Sequence, residues 1–162
     1  MSQLIVFDYP PNFADIDAKF HTRGKPVLYS YGNSIYNPMS MRVPMSLIVH
    51  EAVHGVRQLA HLPKVVGMTV DPEIGVIEWW RKYIEDPHFR LIEELLAHRE
   101  EFKHITRGAN RQTCRIQLSL ISKRLSGALY DGIITRRQAK RMLTLTDAEV
   151  RAHIPKGQAD DK

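Results

Sequence analysis

Two histidines and a glutamate in the first half of the chain have the types and spacing of a metal-dependent hydrolytic site. They occur in the sequence His50-Glu51-Ala52-Val53-His54. If this stretch is helical, both imidazoles lie on one face and can reach a single zinc ion at about 2.0–2.1 Å. The intervening carboxylate could take a proton from a water on the metal and pass it to a leaving amine. The spacing H-E-x-x-H therefore predicts that His50 and His54 bind Zn²⁺ and that Glu51 is the general base.

The residues around this motif have the pattern of an amphipathic helix over residues 43–62. Pro44 suits the first helical turn, where its missing N–H needs no partner, and Ser46 is another suitable start. The polar side chains gather on one side of the helix: His50, Glu51, His54, Arg57, Gln58 and His61. The apolar side chains gather on the other side, and Val49, Ala52 and Val53 are predicted to form a dry wall behind the metal.

A third protein ligand is expected, because catalytic zinc sites usually combine three protein ligands with one open position. His61 lies about 10 Å further along the helix than His54, which excludes it unless the helix breaks. A second helix, predicted over residues 87–102, is the better source. Its Glu93 and Glu94 both lie away from the main apolar side, and helical phase favours Glu94 only weakly.

The H-E-x-x-H motif, followed by Glu94-Leu95-Leu96-Ala97, resembles the gluzincin metallopeptidases, particularly their small single-domain members. The resemblance covers about residues 26–105. It implies that Glu94 is the third zinc ligand, that Ala97 lets the two helices approach closely and that the substrate is a peptide or protein.

The same resemblance implies an edge strand that runs over the motif helix and pairs with the substrate backbone. Residues 33–37 are the candidate for this edge, and a plain core strand is the alternative. The amino-acid sequences of residues 8–13 and 34–38 also resemble segments of small phage-encoded peptidase-like proteins. A donor that stabilises the oxyanion is expected beside the metal, and four residues are candidates by type: Tyr36, Tyr83, His88 and His98.

Length and composition indicate one α+β domain over residues 1–154, followed by a polar tail at 155–162. Within it we expect a sheet-rich part (1–42), zinc-binding helices in a zincin-like core (43–105) and a helical buttress (106–154). The sheet is expected to be small and antiparallel or mixed, with a turn or bulge at Gly32-Asn33. Later helices are predicted to begin near Ile77, to span residues 110–130 and 135–143, and to start again at Thr146.

Other features bear on the location and partners of the protein. Its one cysteine, Cys114, excludes an internal disulfide and fits a reducing compartment. The sequence has no apolar run of about 18 residues and no basic leader before an apolar stretch, so we expect a cytoplasmic protein, or a virion-associated one if it is phage-encoded.

The formal net charge of +5 reflects a concentration of Lys and Arg in the C-terminal third. Solvated outer helix faces are the simplest explanation, and nucleic-acid binding is possible but not favoured. Two alternatives to a peptidase stay open. One is a non-catalytic, zinc-stabilised protein that contacts protein or nucleic acid, and the other is a zinc hydrolase acting on a non-peptide amide.

Overall fold

Helices and one small mixed sheet make up the part of the chain that the computed structural model describes, residues 4–61, 71–146 and 149. Six α-helices lie in these ranges: α1 (Phe13–Phe20), α2 (Met45–Ala60), α3 (Pro72–Glu85), α4 (Pro87–Thr106), α5 (Arg111–Leu125) and α6 (Arg136–Thr144). The strands are β1 (Leu4–Val6), β2 (Tyr29–Tyr31) and β3 (Ser34–Tyr36), and a short 3₁₀ helix spans Ala128–Tyr130. The predicted α+β class with a small N-terminal sheet is confirmed.

The sheet has the strand order β1-β3-β2. β3 pairs in parallel with β1 and antiparallel with β2. Gly32, at a φ of 58°, and Asn33 form the two-residue turn of a β2–β3 hairpin, which confirms the hairpin alternative. The prediction that residues 33–37 form an edge is wrong, because β3 lies between the other two strands. β2 is the edge strand that lies against α2.

Asp-Pro pairs start two consecutive helices. The Asp86 carboxylate accepts hydrogen bonds from the backbone N–H groups of His88 and Phe89 at the start of α4. Asp71 does the same for α3 by accepting from the N–H of Glu73. α3 therefore begins at Pro72 rather than at Ile77, because Asp71-Pro72 is a helix start and not only a turn. Residues 62–70, between α2 and Asp71, lie outside the described residues.

The C-terminal part is helical, with one correction. The helix predicted over residues 110–130 ends at Leu125, because Gly127 has an extended backbone and the 3₁₀ helix follows. Thr135 caps α6 through a capping box with Gln138, and Thr146, where the next helix is predicted to start, makes capping-box contacts with Glu149. Residues 155–162 lie outside the described part. None of the described helices is long and apolar enough to cross a membrane.

Two apolar clusters flank the central helix α4. The first joins α1, β2 and α3: Phe13, Ile16, Tyr29, Val76, Trp79, Trp80 and Tyr83. The second joins α4 to the C-terminal helices: Leu91, Leu95, Ile121, Leu125, Tyr130, Ala139 and Leu143. The fold therefore holds α4 from both sides.

Leu125 should be critical for the second cluster. Its side chain is 0% exposed, whereas Leu120 on the same helix is 48% exposed. We expect Leu125→Ala to lower the free energy of unfolding by about 2–5 kcal/mol, because it removes buried methyl groups and leaves a cavity. Leu120→Ala should change it by about 0.5 kcal/mol or less. Urea unfolding measures both, and equal losses would contradict this packing.

Candidate metal centre

The polar face of α2 is its buried face. His50, Glu51 and His54 are between 5% and 8% exposed, whereas Val56 on the opposite face is 69% exposed. The predicted dry wall of Val49, Ala52 and Val53 is wrong, because these three side chains are only partly buried. The helix is turned this way because α4 presents carboxylates and a further histidine to its polar face.

Aromatic rings form the apolar lining of the site in place of Val49, Ala52 and Val53. The imidazole of His54 lies 5.4 Å from the ring of Trp79 and 6.3 Å from that of Tyr83, measured between centroids. Both rings belong to α3, and Trp79 is almost completely buried. α3 therefore provides the aromatic lining on this side of the candidate site.

His50, His54 and Glu94 bring potential ligand atoms together in the interior. The two Nε2 atoms are 3.2 Å apart. Glu94 places Oε1 3.2 Å from His54 Nε2 and Oε2 3.6 Å from His50 Nε2. Ligands held tetrahedrally at about 2.0–2.1 Å from one zinc ion are about 3.3–3.4 Å from each other. The observed separations therefore fit the edges of one zinc coordination tetrahedron.

The charges of these groups also favour a cation. Lone pairs of buried acceptors that face one another are unfavourable unless a proton or a metal ion lies between them. Burial lowers the pKa of His50, but Glu101 and Glu94 outweigh burial and raise this pKa to about 10. Burial raises the pKa of Glu94, yet the histidines His54 and His50 hold it well below its usual range. The carboxylate is therefore ionised, as a zinc ligand must be.

Glu93, the competing carboxylate, points elsewhere. It is buried and accepts two hydrogen bonds from the guanidinium of Arg57, from Nε to Oε2 and from Nη2 to Oε1, the second at 2.6 Å. This ion pair joins α4 to α2 beside the histidines. The structure thus brings Glu94, and not Glu93, to His50 and His54.

Two tyrosines fix the carboxylate of Glu94. Tyr83 Oη donates to Glu94 Oε1 at 2.6 Å, and Tyr130 Oη donates to Oε2 at 3.0 Å. Burial, followed by the negative charge of Glu94, raises the pKa of both hydroxyls well above the usual range, so both stay protonated donors. Buried Arg90 holds the two segments in place by donating to the carbonyls of Tyr83 (2.7 Å) and Leu129 (3.0 Å).

The four candidates for oxyanion stabilisation lie at different distances from the ligand cluster. Tyr83 borders the same small cavity as Glu51, His54 and Glu94. His88 is exposed on α4, and the ring of Tyr36 lies beside that of Tyr31 on the sheet. His98 is buried close to Glu94, with its Nε2 3.7 Å from Glu94 Oε2.

Glu51 is held by a serine that the sequence analysis did not single out. Ser30 Oγ lies 2.6 Å from Glu51 Oε2 and 2.8 Å from the Glu51 carbonyl oxygen. The adjoining cavity of about 50 Å³ is bordered by Glu51, His54, Tyr83 and Glu94. A cavity of that size holds water but not a peptide segment.

The outer edge of β2 is already hydrogen-bonded. The carbonyl of Ser30 accepts from Gln58 Nε2 and from Trp80 Nε1, each at 3.0 Å. The N–H of Gly32 donates to Gln58 Oε1 at 2.8 Å. The amide of Gln58, fully buried on α2, thus occupies the position of a neighbouring strand. Pairing of a peptide with β2 at Ser30 would require Gln58 to move.

A further carboxylate, on the last turns of α4, belongs to the same cluster. Glu101 Oε2 lies 2.7 Å from His98 Nδ1 and 3.3 Å from His50 Nδ1. His50, His98 and Glu101 are close enough to form a second group of potential ligands. No sequence motif singles out Glu101, although its spacing of seven residues from Glu94 places both on one helical face.

Comparisons of the chain with protein-family models, with curated proteins and with solved structures found no match. The resemblance to gluzincins therefore rests on the two short motifs around His50 and Glu94. A proposal for the function therefore depends on the chemistry of the buried side chains of His50, His54 and Glu94.

Proposed function

We propose that this protein is a zinc-dependent metallopeptidase in which His50, His54 and Glu94 hold the ion and Glu51 is the general base. The observation that carries the proposal is the convergence of two imidazole nitrogens and one carboxylate at separations of 3.2–3.6 Å in the protein interior. Two histidines and one glutamate are a ligand set of known zinc hydrolases, and three protein ligands leave a position for water.

Zinc bound there would polarise the carbonyl of a scissile peptide and lower the pKa of a coordinated water to about 7. The Glu51 carboxylate is beside the ligands and would accept a proton at Oε1 or Oε2 and return it to the leaving amine. Ser30 orients this carboxylate through its hydroxyl. Tyr83 and Tyr130 keep Glu94 in place, and aromatic rings of α3 line the adjoining cavity.

The experiment that tests this proposal is digestion of a mixture of unstructured polypeptides by zinc-loaded protein. New N-termini are identified by mass spectrometry, with chelator-treated protein and chelator-treated protein with zinc restored as controls. We expect cleavage that is lost with the metal and recovered with it. Hydrolysis of simple acyl amides without cleavage of any peptide would instead favour a non-peptide amide substrate.

A non-catalytic, zinc-stabilised protein is the second candidate function. The burial of the whole ligand cluster, the cavity of about 50 Å³ and the bonded edge of β2 favour it, because a peptidase must admit a peptide. Exposed basic side chains on α5 and α6, such as Arg115, Arg137 and Lys140, provide a surface for an acidic protein or nucleic acid. Zinc that raises the melting temperature without any cleavage of peptides would support this alternative.

A further inference from the structure

We infer that Glu101 is a positioning residue whose carboxylate holds the imidazoles of His50 and His98 by their Nδ1 atoms and so directs His50 Nε2 to the metal. The inference rests on the proposed zinc site, since it concerns the orientation of one of its ligands. The inference gives a role to Glu101, a buried residue to which the proposed mechanism of hydrolysis assigns none.

The geometry of the three side chains supports this role. Glu101 is 3% exposed, and its Oε2 is within hydrogen-bond distance of His98 Nδ1 at 2.7 Å. His50 Nδ1 makes no fully aligned hydrogen bond, and the same oxygen lies next to it at 3.3 Å. The opposite nitrogen of His50, Nε2, faces His54 and Glu94.

The hydrogen-bonding roles agree with this geometry. A carboxylate oxygen placed beside two imidazole nitrogens acts as the acceptor for both, so the Nδ1 atoms that face Glu101 are those that carry hydrogen. In a neutral imidazole, Nε2 is then the free ligand atom, which is the arrangement needed at His50.

The distances argue against a second metal ion between these three residues. Two ligands of one tetrahedral zinc ion are about 3.3–3.4 Å apart. The separation of 2.7 Å between His98 Nδ1 and Glu101 Oε2 is instead that of a charge-assisted hydrogen bond. Glu101 therefore supports a ligand, and His98 is the second donor that holds Glu101 in place.

The test measures zinc affinity by competition with a chelating dye for wild type, Glu101→Gln and Glu101→Ala. Outer partners of metal-binding histidines typically contribute 10–100-fold, so Glu101→Ala should weaken zinc binding by about that factor and Glu101→Gln by less. The control is Glu100→Gln, because Glu100 is partly exposed on the same helix and pairs with Lys103. It should leave the affinity unchanged.

A second measurement does not depend on any variant folding. Long-range ¹H–¹⁵N NMR of the zinc-loaded wild type should show His50 protonated at Nδ1 and coordinated through Nε2. Coordination through Nδ1 would overturn the inference, as would unchanged zinc affinity in a folded Glu101→Ala protein. A wild type that binds no zinc would remove the proposed function and this inference together, whereas the two preceding results leave the proposed function intact.

Discussion

Replacing Glu94 with alanine should weaken zinc binding by more than about 100-fold. Loss of a direct ligand should exceed the 10–100-fold that outer partners typically contribute. The substitution also leaves the hydroxyls of Tyr83 and Tyr130 without their acceptor in the protein interior. Titration against a chelating dye measures the effect, with circular dichroism to show that the helices are retained.

Glu93→Ala is the matched control, since Glu93 is the adjacent residue and equally enclosed by protein. Its carboxylate is paired with Arg57, so its removal should lower stability and leave zinc affinity near that of wild type. The reverse pattern, with zinc lost in Glu93→Ala and kept in Glu94→Ala, would contradict the assignment of the third ligand.

Replacing Glu51 with glutamine should lower the rate of hydrolysis by about 10²–10⁴-fold, the usual contribution of a general acid–base group. Zinc content should not change, because Glu51 is not among the three proposed ligands. Glutamine has nearly the same shape and can still accept a hydrogen bond from Ser30, but it cannot take up the proton. Steady-state cleavage of a peptide found in the digestion experiment measures the loss.

Ser30→Ala provides the comparison for Glu51. It keeps the carboxylate and removes only the hydroxyl that orients it at 2.6 Å. We expect a smaller loss of activity than in Glu51→Gln, with the same zinc content. Retained turnover in Glu51→Gln would falsify the role given to this glutamate and would favour the non-catalytic alternative.

Some of this site could be predicted because its signals are local. The spacing of His50 and His54 places both on one face of a helix whatever surrounds it. The Asp86-Pro87 start of α4 is equally local, and it sets the helical phase of Glu94. Spacing alone favoured Glu94 over Glu93 only weakly, and the structure shows Arg57 as the partner of Glu93.

The environment of the site could not be predicted in the same way, since it depends on contacts between distant segments. Ser30 reaches Glu51 from β2, and Tyr130 reaches Glu94 from the 3₁₀ helix. The orientation of α2 followed from the partners available on α4, so its polar face turned inward against the usual rule for amphipathic helices. The contact of Glu101 with His50 likewise depends on how α4 packs against α2.

The measurement that tests the central claim most directly is the zinc content of wild-type protein and His54→Ala, both purified without added metal. Elemental analysis should find one zinc ion per chain in wild type and a loss of this zinc in the variant. A folded wild-type protein that contains no zinc, and takes up none when zinc is restored, would contradict the account. The buried histidines and carboxylates would then form a hydrogen-bonded polar cluster and not a metal centre.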